Sequence, residues 1–371
     1  MNIHKLSLQL AAENYPIIIG TGLIGEAGGE VHLPHFRAKT GVLITNETVA
    51  GLYLEAAQEF FRRAEYDLQP IVIPDGEQYK NREVLFSLYE QMFEAGLQRD
   101  SFVCALGGGV VGDLAGFAAS TYMRGLDLVH LPTTLLAQVD SAIGGKNGIN
   151  LPVGKNLIGT FYQPRAVISD VNLLATLPDD EFFSGLGEVV KYALIVGNDF
   201  VSFLEMNFRE IMERVPKILA NMVHYCCRIK ADFVARDEKE QLGVRAILNL
   251  GHTMAHALET VFAYQEMKHG LAVAKGLAFA ALVSLEAGTL SENEFRQVME
   301  LFRLFELDVS PPPAVDDEQL LTVMMRDKKM TAESLNMILL RSIGQPFLYS
   351  KVSRELLQAA FAKWRSGMAA G

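Results

Sequence analysis

Three histidines lie within eighteen residues of one another, at His252, His256 and His269. His252 and His256 are four residues apart, so on a helix both imidazoles would project from one face. An HxxxH pair is the usual helical chelate, and spacing alone therefore favours these two histidines as ligands of one metal ion. A third ligand from a later turn of chain would complete a site with an open position, which is typical of catalytic metal centres.

Glu188 is an acidic residue that such a site could use. It lies in the apolar segment Gly185-Leu-Gly-Glu-Val-Val-Lys-Tyr192, where an unpaired carboxylate would be costly to bury. Lys191 follows three residues later and would share its helical face. A single histidine on an apolar helix is more often a hydrogen-bonded core residue. Three clustered histidines with an available carboxylate favour a metal site over that alternative.

A glycine turn, Gly107-Gly-Gly-Val-Val-Gly-Asp113, follows an apolar strand-like run and opens a helical pattern. Bare amides and the dipole of a helix start can face a pyrophosphate where side chains would obstruct it. The turn is similar to the dinucleotide-binding fingerprint without matching it, and a tight turn with no ligand is the alternative. Two other strand-like runs are also followed by polar residues, namely Glu77, Lys80, Thr133 and Thr134. These loops and the glycine turn together predict a nucleotide site.

The segment from Asp140 to Gly159 is rich in glycine and carries Lys146, Lys155 and Asn156. In a chain with a formal charge of -11, cationic donors on flexible backbone suggest a small anionic ligand such as a phosphate. A solvated surface loop is the alternative.

The elements that must position these residues change character halfway along the chain. Short β-rich runs, mostly separated by helical patterns, predict βαβ units at residues 5–10, 15–20, 41–45, 70–73, 102–106, 126–131 and 166–169. From about Asp180, amphipathic patterns predict helices at residues 181–206, 210–234, 246–262, 271–287 and 292–305. We therefore expect an α/β domain with a mostly parallel, Rossmann-like sheet over residues 1–179 and an all-α domain over residues 180–371.

Composition limits the classes of function. With 371 residues, half of them hydrophobic, the chain is long enough for two cores. Its acidity gives no general attraction to nucleic acid. The three cysteines, Cys104, Cys226 and Cys227, have neither metal-knuckle nor disulfide-framework spacing, which favours a reducing cytoplasm. The N-terminal residues do not have a signal-peptide pattern, and the apolar run over residues 271–285 is too short to span a membrane.

Five ordered segments resemble the 3-dehydroquinate synthases, sugar phosphate cyclases of the shikimate pathway, and the resemblance runs over nearly the whole chain. They are GGGVVGDLAGFAASTYMRG, LPTTLLAQVDSAIGGKNGINLPVGKNLIG, GEVVKYA, LNLGHTMAHALE and HGLAVAKG. The resemblance implies an N-terminal NAD-binding α/β domain, a C-terminal helical metal domain with zinc or cobalt, and an active site in the cleft between them, usually within a homodimer.

The same resemblance assigns roles to residues by position. The metal ligands it implies are Glu188, His252 and His269, which leaves His256 as a contact of the substrate phosphate. The rest of the implied phosphate pocket is Lys146, Asn156, Asn249, one lysine of Lys328 and Lys329, and Arg124 of the partner subunit. Lys230 and Arg245 would bind the substrate carboxylate, and Asp140, Lys155 and Lys191 its hydroxyls, with Glu240 preceding Arg245. The NAD site would comprise Glu77, Lys80, Gly108, Gly109, Gly112, Asp113, Thr133, Thr134, Thr176, Lys146 and Lys155.

Three positions depart from the family pattern: Asp180, usually basic; Leu271, usually acidic; and Lys275, commonly apolar. None of them is an implied ligand, so the departures concern local packing.

The reaction that the resemblance implies converts 3-deoxy-D-arabino-heptulosonate 7-phosphate into 3-dehydroquinate and phosphate. It passes through transient oxidation by NAD, phosphate elimination, re-reduction, ring opening and aldol closure. Another sugar phosphate cyclase and a metal-dependent polyol dehydrogenase are the alternatives. A non-catalytic nucleotide-binding module is a third, which the intact set of candidate residues disfavours.

Overall fold

The structure, a computed structural model, describes residues 3–11, 14–25, 31–262, 267–313, 315–326 and 335–367. The chain divides into two compact units. The first unit comprises Met1–Pro178 and Arg214–Lys239, and the second comprises Asp179–Glu213 and Glu240–Gly371. The break at Pro178 lies one residue from the predicted boundary. The segment Arg214–Lys239, which the sequence analysis placed in the second domain, groups with the first.

A seven-stranded sheet forms the centre of the first unit. Its strands are β1 (His4–Gln9), β2 (Asn14–Gly20), β3 (Thr40–Asn46), β4 (Asp67–Ile73), β5 (Phe102–Gly107), β6 (Asp127–Pro132) and β9 (Ala166–Asp170). Between β6 and β9, the strands β7 (Lys146–Leu151) and β8 (Gly154–Phe161) form a separate hairpin. The strand order is β1-β2-β9-β6-β5-β3-β4, and every pairing is parallel except that of β1 with β2. The predicted mostly parallel α/β architecture is therefore confirmed.

Helices cover both faces of this sheet, which explains why β5 and β9 are buried along their whole length. On one face, Phe60 and Phe61 of α1 (Glu47–Arg63) pack with Phe102 in one apolar cluster. On the other face, α2 (Arg82–Glu94) and α3 (Gly109–Thr121) contribute Leu88 and Leu114 to a second cluster. Two-sided burial makes these strands read as continuous apolar runs in the sequence.

Helices dominate the chain after Pro178. They are α4 (Asp179–Val196), α5 (Asn198–Met206), α6 (Phe208–Met212), α7 (Pro216–Arg236), α8 (His252–Val261), α9 (His269–Glu286), α10 (Glu292–Leu304), α11 (Asp317–Arg326) and α12 (Arg354–Arg365). The predicted helix 181–206 is broken at Gly197, whose φ of +93° ends α4. The sequence analysis missed an antiparallel hairpin of β10 (Leu335–Leu340) and β11 (Pro346–Val352), so the second unit is mainly but not wholly helical.

Helix α9 is the core helix of the second unit. By length and apolar composition it could cross a membrane, but 78% of the helix is buried inside the protein. Lys275 lies within it and is buried with a salt bridge to Asp308 at 2.8 Å. Burial by protein accounts for its apolar composition.

Candidate active site

The glycine turn of the first unit lies at the point where the strand order reverses. The chain passes from β3 to β4 on one side and then returns to β5 on the other side of β3. Ligands of open α/β sheets collect at the carboxyl ends of the strands beside such a switch point. Gly107 ends β5 there, and Gly108 is the N-cap of α3 without any side chain capping the helix. The first amides of α3 are therefore suited to an anionic group such as a pyrophosphate.

Close packing also requires these glycines. A Cβ on Gly107 would lie 2.6 Å from Val111, and one on Gly108 would lie 2.9 Å from the Thr134 side chain. Thr134 itself accepts a hydrogen bond from the Ala137 amide, while Thr133 is buried and donates its amide to Gly107. Both threonines thus belong to the framework of the turn.

Lys80 is buried and lies at the centre of a polar group in the first unit. Its Nζ donates to Asp113 Oδ2 and to Asn156 Oδ1, both at 2.5 Å. Burial raises the pKa of Asp113, although the charge of Lys80 opposes that shift. Asn150 donates to Glu77 at 2.7 Å, and Lys155 lies 3.9 Å from the same carboxylate. Predicted residues of the nucleotide and anion sites are therefore linked by direct contacts.

A second ion pair of the first unit joins α7 to the turn at residues 137–141. Lys230 Nζ lies 2.9 Å from Asp140 Oδ1 and donates to the Asp140 carbonyl at 2.8 Å. The turn is a short π-helix, a form that often occurs at functional sites. Of the other predicted residues, Thr176 shares a hydrogen bond with the Tyr53 hydroxyl, and Lys146 and Arg124 are exposed.

The glycine-rich segment after Gly144 is a β-hairpin, and the expectation of flexible backbone there was wrong. Its glycines allow the strands to approach closely, since a Cβ on Gly159 would lie 2.1 Å from the Asn147 carbonyl. Gly116 of α3 likewise leaves room for the Asn147 side chain, 2.0 Å from where a Cβ would be. Packing of the hairpin on α3 accounts for these glycines, and Lys155 and Asn156 lie on its second strand.

The second unit brings Glu188, His252 and His269 together. One ligand atom from each lies within 4.8 Å of the others. Glu188 Oε1 is 3.6 Å from His252 Nε2 and 3.4 Å from His269 Nε2, and the carboxylate is fully buried. His256 is not in this group: its side chain is exposed and its ring stands edge-on to His252. The HxxxH interpretation from spacing alone is thus wrong, because sharing a helix face did not bring both rings to the carboxylate.

Two contacts between glycines bring these ligands together. A Cβ on Gly187 would lie 2.1 Å from the Gly270 carbonyl, so the backbones of α4 and α9 touch beside Glu188 and His269. A Cβ on Gly276 would lie 2.1 Å from the Gly251 carbonyl, which brings the start of α8 against α9 beside His252. Gly251 also has a φ of +80°, a conformation that favours glycine.

Each ligand histidine is held at its other ring nitrogen. His252 Nδ1 lies 3.2 Å from the Leu250 carbonyl, and His269 Nδ1 lies 3.3 Å from the Glu259 carboxylate. These contacts place a proton on Nδ1 of each ring, so Nε2 is the atom that would bind a metal ion. No role was predicted for Glu259 from the sequence. The available signal was an acidic residue directly after the apolar pair Ala257 and Leu258 of a predicted helix, and the structure shows that it is buried.

The charges around the two ligand histidines differ. Desolvation lowers the pKa of His252 to about 3, and the charge of Lys191 adds to that shift. Desolvation also lowers the pKa of His269, but its hydrogen bonds to Glu188 and Glu259 outweigh burial and raise the pKa to about 10. Lys191 is itself buried and forms an ion pair with Glu188.

Other predicted residues of the second unit are partly placed. Arg245 is buried, and Asn249 donates to Glu240 Oε1 at 3.1 Å. Glu240 has a φ of +55°. Lys328 and Lys329 lie outside the described residues.

Two of the three departures from the family pattern have local partners. Asp180 pairs with Lys268 at 2.7 Å, next to the ligand His269, and Lys275 pairs with Asp308. Nothing in the structure explains Leu271.

The residues present fit a divalent cation. A carboxylate with two imidazoles is a ligand set of catalytic zinc sites. With bonds of about 2.1 Å, neighbouring ligand atoms of a tetrahedral ion are about 3.4 Å apart. The 3.4 Å and 3.6 Å separations from Glu188 Oε1 agree with that spacing.

Comparisons with known proteins agree with this geometry. Family models for the N-terminal and C-terminal parts of 3-dehydroquinate synthase match residues 70–184 and 185–330. A 3-dehydroquinate synthase of Hydrogenovibrio crunogenus is 41% identical over 360 residues, covering 97% of this chain and 99% of that protein.

Two solved structures of related cyclases are similar over nearly the whole chain. One is a 2-deoxy-scyllo-inosose synthase complexed with carbaglucose-6-phosphate, NAD+ and Co2+, with a TM-score of 0.87, 28% identity and coverage of 98% and 100% of the two chains. The other is a 2-epi-5-epi-valiolone synthase of Streptomyces hygroscopicus with NAD+ and Zn2+, with a TM-score of 0.86, 25% identity and coverage of 96% and 98%.

Proposed function

Because the chain belongs to the 3-dehydroquinate synthase family, we propose that it converts 3-deoxy-D-arabino-heptulosonate 7-phosphate into 3-dehydroquinate and phosphate. In reaction class it is a lyase that depends on NAD and a divalent metal. The observation that carries the proposal is the convergence of Glu188, His252 and His269 in a chain that matches the family over nearly its whole length.

The two cofactors supply chemistry that side chains cannot. NAD, when bound, would supply reversible hydride chemistry at C5 of the sugar, so the cofactor would not be consumed. Glu188, His252 and His269 would hold a divalent ion, which would supply Lewis-acid chemistry at a substrate hydroxyl. Zinc and cobalt both suit this ligand set, as the two related cyclases with Co2+ and Zn2+ indicate.

In the first unit, the glycine turn and the polar group around Lys80 hold NAD. The amides of Gly109 and its neighbours at the start of α3 bind the pyrophosphate, where no side chain caps the helix. Asp113 and Glu77, kept in place by Lys80 and Asn150, orient the rest of the cofactor, and Thr133, Thr134 and Thr176 line its site.

Several polar side chains bind the substrate's functional groups. Lys191, beside Glu188, stabilises the alkoxide that forms at C5 during oxidation, and Asp140 orients the neighbouring hydroxyls with Lys155. Arg245 and Lys230, both buried cations, bind the carboxylate. The phosphate is bound by Lys146, Asn156, Asn249 and His256, with one lysine of Lys328 and Lys329 and with Arg124 of the partner subunit in a homodimer.

Further expectations follow from the same assignment. The partner is a small phosphorylated sugar acid, and neither nucleic acid nor a membrane takes part. A cytoplasmic location accords with this and with three buried cysteines whose spacing is not that of a disulfide framework.

The test is incubation of the metal-loaded protein with the heptulosonate phosphate and NAD. The proposal expects equal amounts of phosphate and 3-dehydroquinate, without net NADH, and loss of both after removal of the metal. Lys146→Met should reduce turnover without unfolding the protein. Net accumulation of NADH would instead indicate a polyol dehydrogenase. The similarity to the two related cyclases gives a second candidate function, that of another sugar phosphate cyclase. Turnover of a phosphorylated sugar without a carboxylate, in preference to the sugar acid, would support that candidate.

A further inference from the structure

Glu259 is a buried carboxylate behind the proposed metal centre, on the last turns of α8. We propose that Glu259 is a positioning residue that holds His269 in its ligand orientation and thereby sets the affinity of the site for a divalent ion. The inference rests on the proposed metal dependence and extends it to a residue that does not itself belong to the ligand group.

The Glu259 carboxylate is buried, so leaving it without a partner would destabilise the fold. The Glu259 side chain is only 4% exposed, and an ionised carboxylate is expensive to bury without a partner. Its Oε1 lies 3.3 Å from His269 Nδ1, on the side of the ring opposite the Nε2 atom that faces Glu188. The carboxylate is therefore placed to orient a proposed ligand of the site.

The contact fixes both the tautomer and the rotation of the His269 ring. When Nδ1 donates to Glu259, a metal ion can take the place of the proton on Nε2, on the side of the ring that faces Glu188. A negatively charged acceptor also makes the imidazole a more basic ligand than a neutral acceptor does. The Coulombic attraction between the buried carboxylate and a divalent ion acts in the same direction.

The other ligand histidine has a different kind of support. His252 Nδ1 is held by the backbone carbonyl of Leu250, a neutral group that no side-chain substitution removes. His269 begins α9, and its Nδ1 contacts the side chain of Glu259, which a substitution can remove. Glu259 is thus a side chain through which a single substitution can change the support of His269 without replacing a proposed ligand.

The experiment compares Glu259→Gln and Glu259→Asp with the wild type. The first keeps the size of the side chain and loses its charge, while the second keeps the charge and withdraws it by one methylene. Zn2+ affinity is measured by competition with a chromophoric chelator, and the Co2+ absorption spectrum reports the ligand geometry. Thermal unfolding of the metal-free protein is followed separately, because a purely structural role would change only that measurement.

Glu286→Gln is the matched control. Glu286 also lies in the second unit, is largely buried and forms an ion pair, with Lys363, away from the histidines. We expect Glu259→Gln to weaken Zn2+ binding about 10-fold to 100-fold and to alter the Co2+ spectrum. The metal-free stability should change little, and Glu286→Gln should bind metal like the wild type.

Three results would overturn the inference. Wild-type Zn2+ affinity in both Glu259 variants would show that the contact does not act on the metal. Unfolding of both variants that excess Zn2+ does not reverse would make Glu259 a residue of the fold alone. Failure of the wild-type protein to bind Zn2+ or Co2+ would refute the proposed metal dependence itself, which distinguishes the two failures.

Discussion

Gly270→Ala tests how the second unit assembles its ligand group. Position 270 lies one residue after His269, where α9 touches α4. An added Cβ would lie 1.7 Å from the Ser184 carbonyl oxygen, whereas ordinary contact begins at 3.4 Å. The opposing atom belongs to helix backbone and cannot rotate away, so the two helices would have to separate locally by about 1.7 Å.

Two opposing effects decide the sign of this substitution. Alanine in a helix is favoured over glycine by about 1 kcal/mol. Overpacking a core costs about 1–3 kcal/mol even where side chains can adjust, and here the backbone must move. We therefore expect a net destabilisation of about 2 kcal/mol. Metal–ligand distances tolerate only about 0.2 Å, so the displacement should also weaken Zn2+ binding at least about 100-fold.

Thermal unfolding and chelator competition measure the two effects. Gly51→Ala is the control, because Gly51 lies on the exposed side of α1 with nothing within 4 Å of an added Cβ. That variant should be as stable as the wild type or up to about 1 kcal/mol more stable, with unchanged Zn2+ affinity. If Gly270→Ala retained both wild-type stability and wild-type Zn2+ affinity, helix contact at these glycines would not determine the ligand geometry.

Three further predictions concern other sites. His252→Ala should lose bound metal and activity together, whereas His256→Ala should keep the metal and weaken phosphate recognition; equal metal loss in elemental analysis would restore the HxxxH pair. Burial lowers the pKa of His130 to about 4, below its unfolded value near 6.5, so folding stability should fall by about 3 kcal/mol from this group as pH drops through that window, and urea unfolding of His130→Leu should lack this loss. Lys80→Met should destabilise the protein by about 3 kcal/mol because it leaves the Asp113 carboxylate without its cation, and adding Asp113→Leu should recover part of that loss. If the double variant is no more stable to urea than Lys80→Met alone, the ion pair does not account for the loss.

Periodicity predicted the fold of the first unit because its strands are short, apolar and separated by helices. The run 102–106 became β5, and the reversal of strand order placed the glycine turn at the expected edge. The hairpin of β7 and β8 was missed since its glycines resemble a loop. They serve close backbone approach, which depends on tertiary contacts such as that of Gly116 with Asn147. Helix α7 groups with the first unit, which the sequence could not indicate because an amphipathic pattern does not show which core an apolar helix face meets.

The candidate metal site could likewise be predicted from the sequence only in part. The histidine cluster was visible as residue types and spacing, but spacing on one helix selected His256 instead of His269. The resemblance to a family supplied Glu188 and His269, which are 81 residues apart in the sequence. The glycine contacts between α4 and α9 explain why Glu188 and His269 meet, and the three-dimensional arrangement shows Glu259 behind the His269 ring.

The fate of the hydrogen at C5 tests the central claim most directly, since the claim is that one bound NAD oxidises and then reduces the same sugar. The substrate is deuterated at C5 and converted in the presence of excess unlabelled NADH, and the deuterium content of the product is measured by mass spectrometry. We predict that 3-dehydroquinate retains the full deuterium label, with one phosphate released per molecule. Loss of the label into the nucleotide pool, or phosphate release without carbocycle formation, would contradict the proposed function.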